Sequence, residues 1–164
     1  MSTALYEQSL REPDTFLSSI SEAKPDRVKR EAFEAVTSLD YWDFDAICIG
    51  KAEIPANLSA KQILSGVRML LGLSSKEAAE LLGVSESGIS RGKQVDLNML
   101  DRVEGMSDAF ARVAAVLSPE GAQTWFREPN PALSGAAPHT LMSTQYGQKK
   151  INNLITALLN GAIA

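Results

Sequence analysis

The stretch SSKEAAELLGVSESGISRGKQ, residues 74–94, decides how the rest of the chain is read. Its apolar residues recur at helical spacing, and Ala79 is small where two helices must come close. Gly83 supplies the backbone freedom of a turn, while Val84 and Ile89 are placed to plug the angle between the helices. Ser85 stands where a side-chain oxygen must cap the start of the second helix. Two short helices joined by a tight turn are what these residues specify.

On either side the text stays helical. In residues 59–72, SAKQILSGVRMLLG, Ile63, Val67, Leu70 and Leu71 form one stripe, with Ser59 as cap and Gly72 as stop. A long amphipathic run covers residues 97–117, and Pro119 can open the next helix, PEGAQTWFRE, because proline is tolerated in a first turn. The loop PNPALSGAAP follows. A last helix over about residues 144–159 carries Ile151, Leu154, Ile155, Leu158 and Leu159 before Gly161 ends it. Upstream, residues 26–39 repeat Val28, Ala32, Ala35, Val36 and Leu39 at threes and fours, with Asp26 placed as cap. A short helix is expected over residues 14–21, ended by the Lys24-Pro25 step, and residues 1–10 read as a tail. YWDFDAICIGKAEIP, residues 41–55, is open between a strand and an apolar segment packed across helices, and the reading leans to irregular or helical. The expected fold is all-α, a helix-turn-helix domain packed with a small helical C-terminal domain. It divides into an acidic, partly helical segment (1–58), the helix-turn-helix domain (59–112) and the C-terminal domain (113–164).

Composition narrows the function. With 45% hydrophobic and 22% charged residues in 164, the chain is globular rather than disordered. Its net charge of −4 is uneven: six Lys/Arg face eleven Asp/Glu in residues 1–58, seven face seven in 59–112, and three face two in 113–164. So charge-poor a final third is either core or the centre of a partner interface. The single cysteine, Cys48, cannot close an internal disulfide, which suits a reducing compartment. No apolar run reaches membrane length and no leader is recognisable, so a soluble, cytoplasmic protein is expected. Catalysis is not expected. His139 is the only histidine and follows a proline, and no spacing brings it to Cys48. Asp43 and Asp45 read as a solvated turn, and no metal cluster, phosphate loop or other cofactor signature is present.

Residues 74–94 resemble the Xre/Cro-type helix-turn-helix of bacterial repressors, whose second helix enters the major groove. That resemblance implies operator contacts: Ser85 heads the recognition helix, Glu86, Ser87, Ser90 and Arg91 face base edges, and Ser75, Lys76 and Lys93 lie near phosphates. Against this stand Gly88 and Gly92, read as lying within the recognition helix, each costing about 1 kcal/mol relative to alanine. Gly92 also occupies a position where such repressors usually carry a bulky apolar residue. The local charge is neutral, whereas phosphate binding favours a basic surface. A motif kept purely as scaffold remains the alternative.

Residues 125–135, WFREPNPALSG, pair a large apolar anchor with a rigid corner. Trp125 and Phe126 are followed by Pro129-Asn130-Pro131-Ala132-Leu133, Gly135 and Pro138, then Leu141-Met142, Gly147, and a helix ending Leu158-Leu159-Asn160-Gly161. This order of features over the last fifty or so residues resembles the toxin-binding domain of Xre/MbcA/ParS-type antitoxins. Phe126 and Met142 replace the more usual leucines, and Ser134-Gly135 replaces a glycine pair. The family joins this domain to an Xre-like helix-turn-helix, so the two resemblances together span residues 59–164. They imply an antitoxin whose partner is a RES-type toxin, one that consumes NAD or transfers its ADP-ribose. They further imply operator binding and a homodimer within a toxin–antitoxin hetero-oligomer. Trp125, Asn130, Leu133, Leu158, Leu159, Asn160, Gly161, Ala162, Ile163 and Ala164 would be the toxin-binding residues, the last five entering the nucleotide pocket with the chain's carboxylate facing arginines. The plainer readings are that Trp125 anchors its helix in the core and that the terminus frays. The rival function is a stand-alone regulator whose C-terminal domain only dimerises.

Overall fold

The computed structural model describes residues 24–161. The expected tail and short helix before Lys24 lie outside the described residues, as do Ala162, Ile163 and Ala164. The order is α1 (Pro25–Thr37), α2 (Tyr41–Cys48), α3 (Ala60–Leu71), α4 (Ser75–Leu82), α5 (Glu86–Ser90), α6 (Leu97–Arg127), two 3-10 turns (Pro131–Leu133 and Pro138–Leu141) and α7 (Gln145–Leu159). Among the described residues there is no strand, and the fold is all-α as expected.

Most helix boundaries follow local chemistry. Ser59 accepts a hydrogen bond from the Gln62 amide to start α3, and Gly72, at φ 66°, ends it. Ser74 and Glu77 form a reciprocal capping box on α4, and Gly83 closes that helix at φ 70°. Asp96 caps α6 and Thr144 caps α7. One expectation is corrected and one open reading is resolved. Asp26 does not cap α1: the helix opens on Pro25, Lys24 takes the cap position without a side-chain bond, and Asp26 sits in the first turn. There its charge is still favourable against the helix dipole. In the ambiguous residues 41–55, the Asp40 carboxylate accepts from the Trp42 amide at 2.8 Å and starts a helix, α2, which carries Tyr41, Phe44 and Ile47 inward.

The central element is α6. Leu100, Val103, Phe110 and Val113 on it are fully buried, and α1, α3 and α7 pack around it. One continuous hydrophobic core runs from Val28 to Ile155. The N-terminal segment is thus structural: α1 supplies Val28, Ala32, Phe33, Ala35 and Val36 to the core. It approaches α3 closely at Gly66, where a Cβ would lie 2.8 Å from the Val36 Cα.

Within α6 the backbone breaks at Ser118, with φ 70° and ψ 165°, a region otherwise nearly confined to glycine. Residues 97–117 and 119–127 are therefore two arms of one bent element. Ser118 caps the second arm by accepting from the Gly121 amide at 3.2 Å, and Pro119 follows in the first turn, as its fixed φ favours. Such a conformation costs roughly 1–3 kcal/mol in a non-glycine residue. Ser118→Gly removes that strain. It gives back a few tenths for the cap and up to about 1 kcal/mol for added freedom in the unfolded chain. The variant is expected to melt about 1–4 °C higher by calorimetry; a lower melting temperature would mean the cap outweighs the strain.

Candidate functional site

The helix pair α4–α5 is built as the residues suggested, with one change of length. Ala79 and Ile89 are buried between the helices and Val84 is half-buried. Ser85 caps α5 by accepting from the Gly88 amide at 2.9 Å. Gly92, however, is not inside the helix: α5 ends at Ser90, and Gly92 adopts φ 91° beyond it. Gly92 therefore terminates the helix, as glycine favours when the chain leaves in the left-handed region. Gly88 has a packing reason, because a Cβ there would press on the Ser85 Oγ at 2.9 Å. Ser85, Glu86, Ser87, Ser90, Arg91 and Lys93 are exposed in one short stretch, Lys76 is exposed on α4, and Ser75 is half-buried. Lys93 lies 3.5 Å from the Asp96 carboxylate, which offsets part of its charge.

Side chains from α6 lock this unit in ways the sequence did not reveal. The Arg102 guanidinium donates to the Leu81 carbonyl at 3.1 Å and packs over the Gly83 turn. Gln123, on the second arm, donates to the Met69 carbonyl at 2.8 Å and closes the end of α3. Signals for such contacts, between residues tens of positions apart, are absent from local spacing.

The corner at residues 125–136 is tightly bonded. Trp125 and Phe126 meet edge to face, ring centroids 5.0 Å apart, and both are buried. Asn130 is also buried. Its side-chain oxygen accepts from the Ala132 amide, its own amide donates to the Ala136 carbonyl, and its carbonyl accepts from the Leu133 and Gly135 amides. Ser134 and Gly135 both take positive φ to complete the reversal. The structure thus places Trp125 and Asn130 inside, Leu133 and Leu158 at the margin, and Leu159, Asn160 and Gly161 on the surface.

After the corner, residues 138–141 return the chain towards α4. Burial pushes the His139 imidazole below its ordinary value near 6.5, while the carboxylates of Glu77 and Glu80 on α4 pull it up less strongly. His139 itself is half-buried. In the unfolded chain it takes up a proton near 6.5, and in the folded chain only at lower pH. Stability is therefore fully present above about pH 6.5 and falls as pH drops below it. His139→Gln should flatten the pH 5–7 part of a denaturation midpoint profile; an unchanged slope would exclude this origin.

The last helix is seated on Ile151 and Ile155 and tied to α6 by Arg112, which donates to the Asn152 side-chain oxygen at 3.3 Å and to the Thr156 hydroxyl at 2.9 Å. At its start Gly147 is pressed so closely on the Leu141 carbonyl that no side chain fits. An anchored corner, a glycine-seated helix and an exposed apolar end form one continuous unit. Residues 112–161 match the family described as the antitoxin Xre/MbcA/ParS C-terminal toxin-binding domain. This part of the chain belongs to that family. The toxin-binding domain thus starts within the first arm of α6 and reaches the end of α7. The match to a toxin-binding domain over these residues supports an antitoxin role for the chain, with a toxin as its partner. No curated protein and no solved structure matches it. Among the described residues no three His, Cys, Asp or Glu side chains gather as a metal site, and no helix is long and apolar enough to cross a membrane.

Proposed function

We propose that this antitoxin neutralises a RES-type toxin, one that degrades NAD or transfers its ADP-ribose, by covering the toxin's nucleotide pocket with residues 160–164. The observation that carries the reading is the exposed end of the toxin-binding domain: α7 is fixed along its length, yet Leu159, Asn160 and Gly161 stand free at its tip. Occlusion of this kind requires no catalytic group or cofactor from the antitoxin, which acts without enzymatic activity of its own, in the cytoplasm where its partner meets NAD.

The same chain represses its own operon through α4–α5 as a helix-turn-helix, with Arg91, Ser87 and Ser90 towards base edges and Lys76 and Lys93 towards phosphates. A five-residue recognition helix spans only about 7 Å. With so few cations per copy, a homodimer on a palindromic site supplies the affinity. Trp42 and Ile49, the first 69% and the second 61% exposed beside the buried face of α2, favour such self-association.

The test is co-expression with the product of the adjacent gene, followed by light scattering of the complex and an assay of NAD consumption. Wild-type protein should form a stable complex that silences NAD turnover. Deletion of residues 160–164 should restore turnover, and full silencing by the truncated chain would sink the pocket-filling mechanism. A shift of promoter DNA by the wild type, lost in Arg91→Ala, tests repression; an equal shift by both would remove α5 from the DNA contact.

A further inference from the structure

Residues 129–164 contain neither Asp nor Glu, although the chain as a whole holds twenty. Within that acid-free stretch, the side of α7 turned away from Ile151 and Ile155 carries Tyr146, Lys149, Lys150, Asn153, Thr156 and Asn160, all exposed and spaced at threes and fours. Tyr146 is 69% exposed, unusual for an aromatic residue on a helix whose other face is well packed. The Lys150 ammonium lies 5.4 Å from its ring centroid, which holds ring and charge together. Neither lysine pairs with an acid among the described residues. The strip runs roughly 20 Å, at about 1.5 Å per residue, and leads directly to the exposed Leu159.

We infer that this outer strip of α7 is a docking surface for an acidic face of the toxin, lying beside its nucleotide pocket. This inference rests on the antitoxin reading above and assigns the surface by which the domain grips its partner. The chemistry fits a protein with surface carboxylates. The lysines gain charged partners that the described residues do not offer, the exposed tyrosine supplies the kind of aromatic anchor that dominates interfaces, and the amides of Asn153 and Asn160 adapt to either donors or acceptors. Arg112 fixes the strip in advance through Asn152 and Thr156, which reduces the ordering cost of binding. A net-negative chain that clears one helix of acids presents it to a negative partner.

The experiment titrates full-length antitoxin against the product of the adjacent gene, for the wild type, Tyr146→Ala, the double variant Lys149→Glu/Lys150→Glu and the conservative Lys149→Arg/Lys150→Arg. All altered residues are exposed, and melting curves confirm that each variant is folded. Tyr146→Ala is expected to weaken binding about 10-fold and the charge reversal by more, with the arginine pair close to wild type. Wild-type affinity should fall as salt rises, whereas the charge-reversed variant should lose that dependence. If the wild type binds and the alanine and charge-reversed variants bind equally well, the strip is not the docking surface and the antitoxin reading stands. If toxin affinity is unchanged but promoter DNA is no longer shifted by the charge-reversed variant, the strip contacts nucleic acid and the inference is overturned. If the wild type binds no toxin at all, the antitoxin reading fails and the inference falls with it.

Discussion

Replacing Gly147 by alanine is expected to destabilise the protein by roughly 3 kcal/mol and to lower its melting temperature by about 6–12 °C. Gly147 is buried in the first turn of α7, where its amide donates to the Thr144 cap at 3.0 Å. A methyl group there would overlap the Leu141 carbonyl oxygen and lie 2.6 Å from its carbon, and both are backbone atoms that cannot rotate away. Relief would require α7 to lift from the turn at residues 138–141, which breaks the Gln148 bond to the Met142 carbonyl and loosens Ile151. Alanine's better helix propensity recovers only about 1 kcal/mol of this. Gly105 is the internal control. It also lies in a helix, but a Cβ there meets nothing within 4 Å. Gly105→Ala should therefore stabilise the protein by about 1 kcal/mol, so two glycine-to-alanine changes carry opposite signs. Urea unfolding of both variants settles the point; similar effects from both would mean that α7 can shift at little cost.

How far these features can be read from sequence depends on the range of the interaction that makes them. Caps and stops are local, so Ser59, Gly72, Gly83, Ser85 and Gly161 could be placed from spacing alone. The corner at Asn130 was legible for the same reason, since its bonds close within a few residues. Residues 41–55 were ambiguous because α2 depends on Asp40, one short side chain preceding an aromatic run that also suits a strand. Gly92 was misplaced because a glycine can sit within a helix or end it, and only its positive φ decides. The clamps Arg102–Leu81 and Gln123–Met69 join residues far apart in the chain and leave no periodic trace. Candidate contact residues were read from family order, which tracks what is needed for the domain to exist. That is why Trp125 and Asn130 proved to be buried supports, while Tyr146, Lys149 and Lys150, exposed and unpaired with any acid among the described residues, have no counterpart in that order.

Phe126→Ala is expected to cost about 3–5 kcal/mol, the range for emptying a fully buried aromatic site. Phe126 has no exposed surface and meets Trp125 edge to face, so its loss leaves the indole without its ring partner and the second arm of α6 without its deepest contact. Phe126→Leu keeps most of the volume and should cost under about 1.5 kcal/mol. The pair also separates two roles of the corner. Residues 128–136 leave this arm directly, and the chain then turns through residues 138–141 into α7. If the corner aims α7, the leucine variant should keep full toxin affinity, while the alanine variant, assayed well below its melting temperature, should bind more weakly than wild type. Equal toxin affinity of folded Phe126→Ala, despite its lower stability, would reduce the corner to a stabilising device and leave the placement of α7 to Gly147 and Arg112.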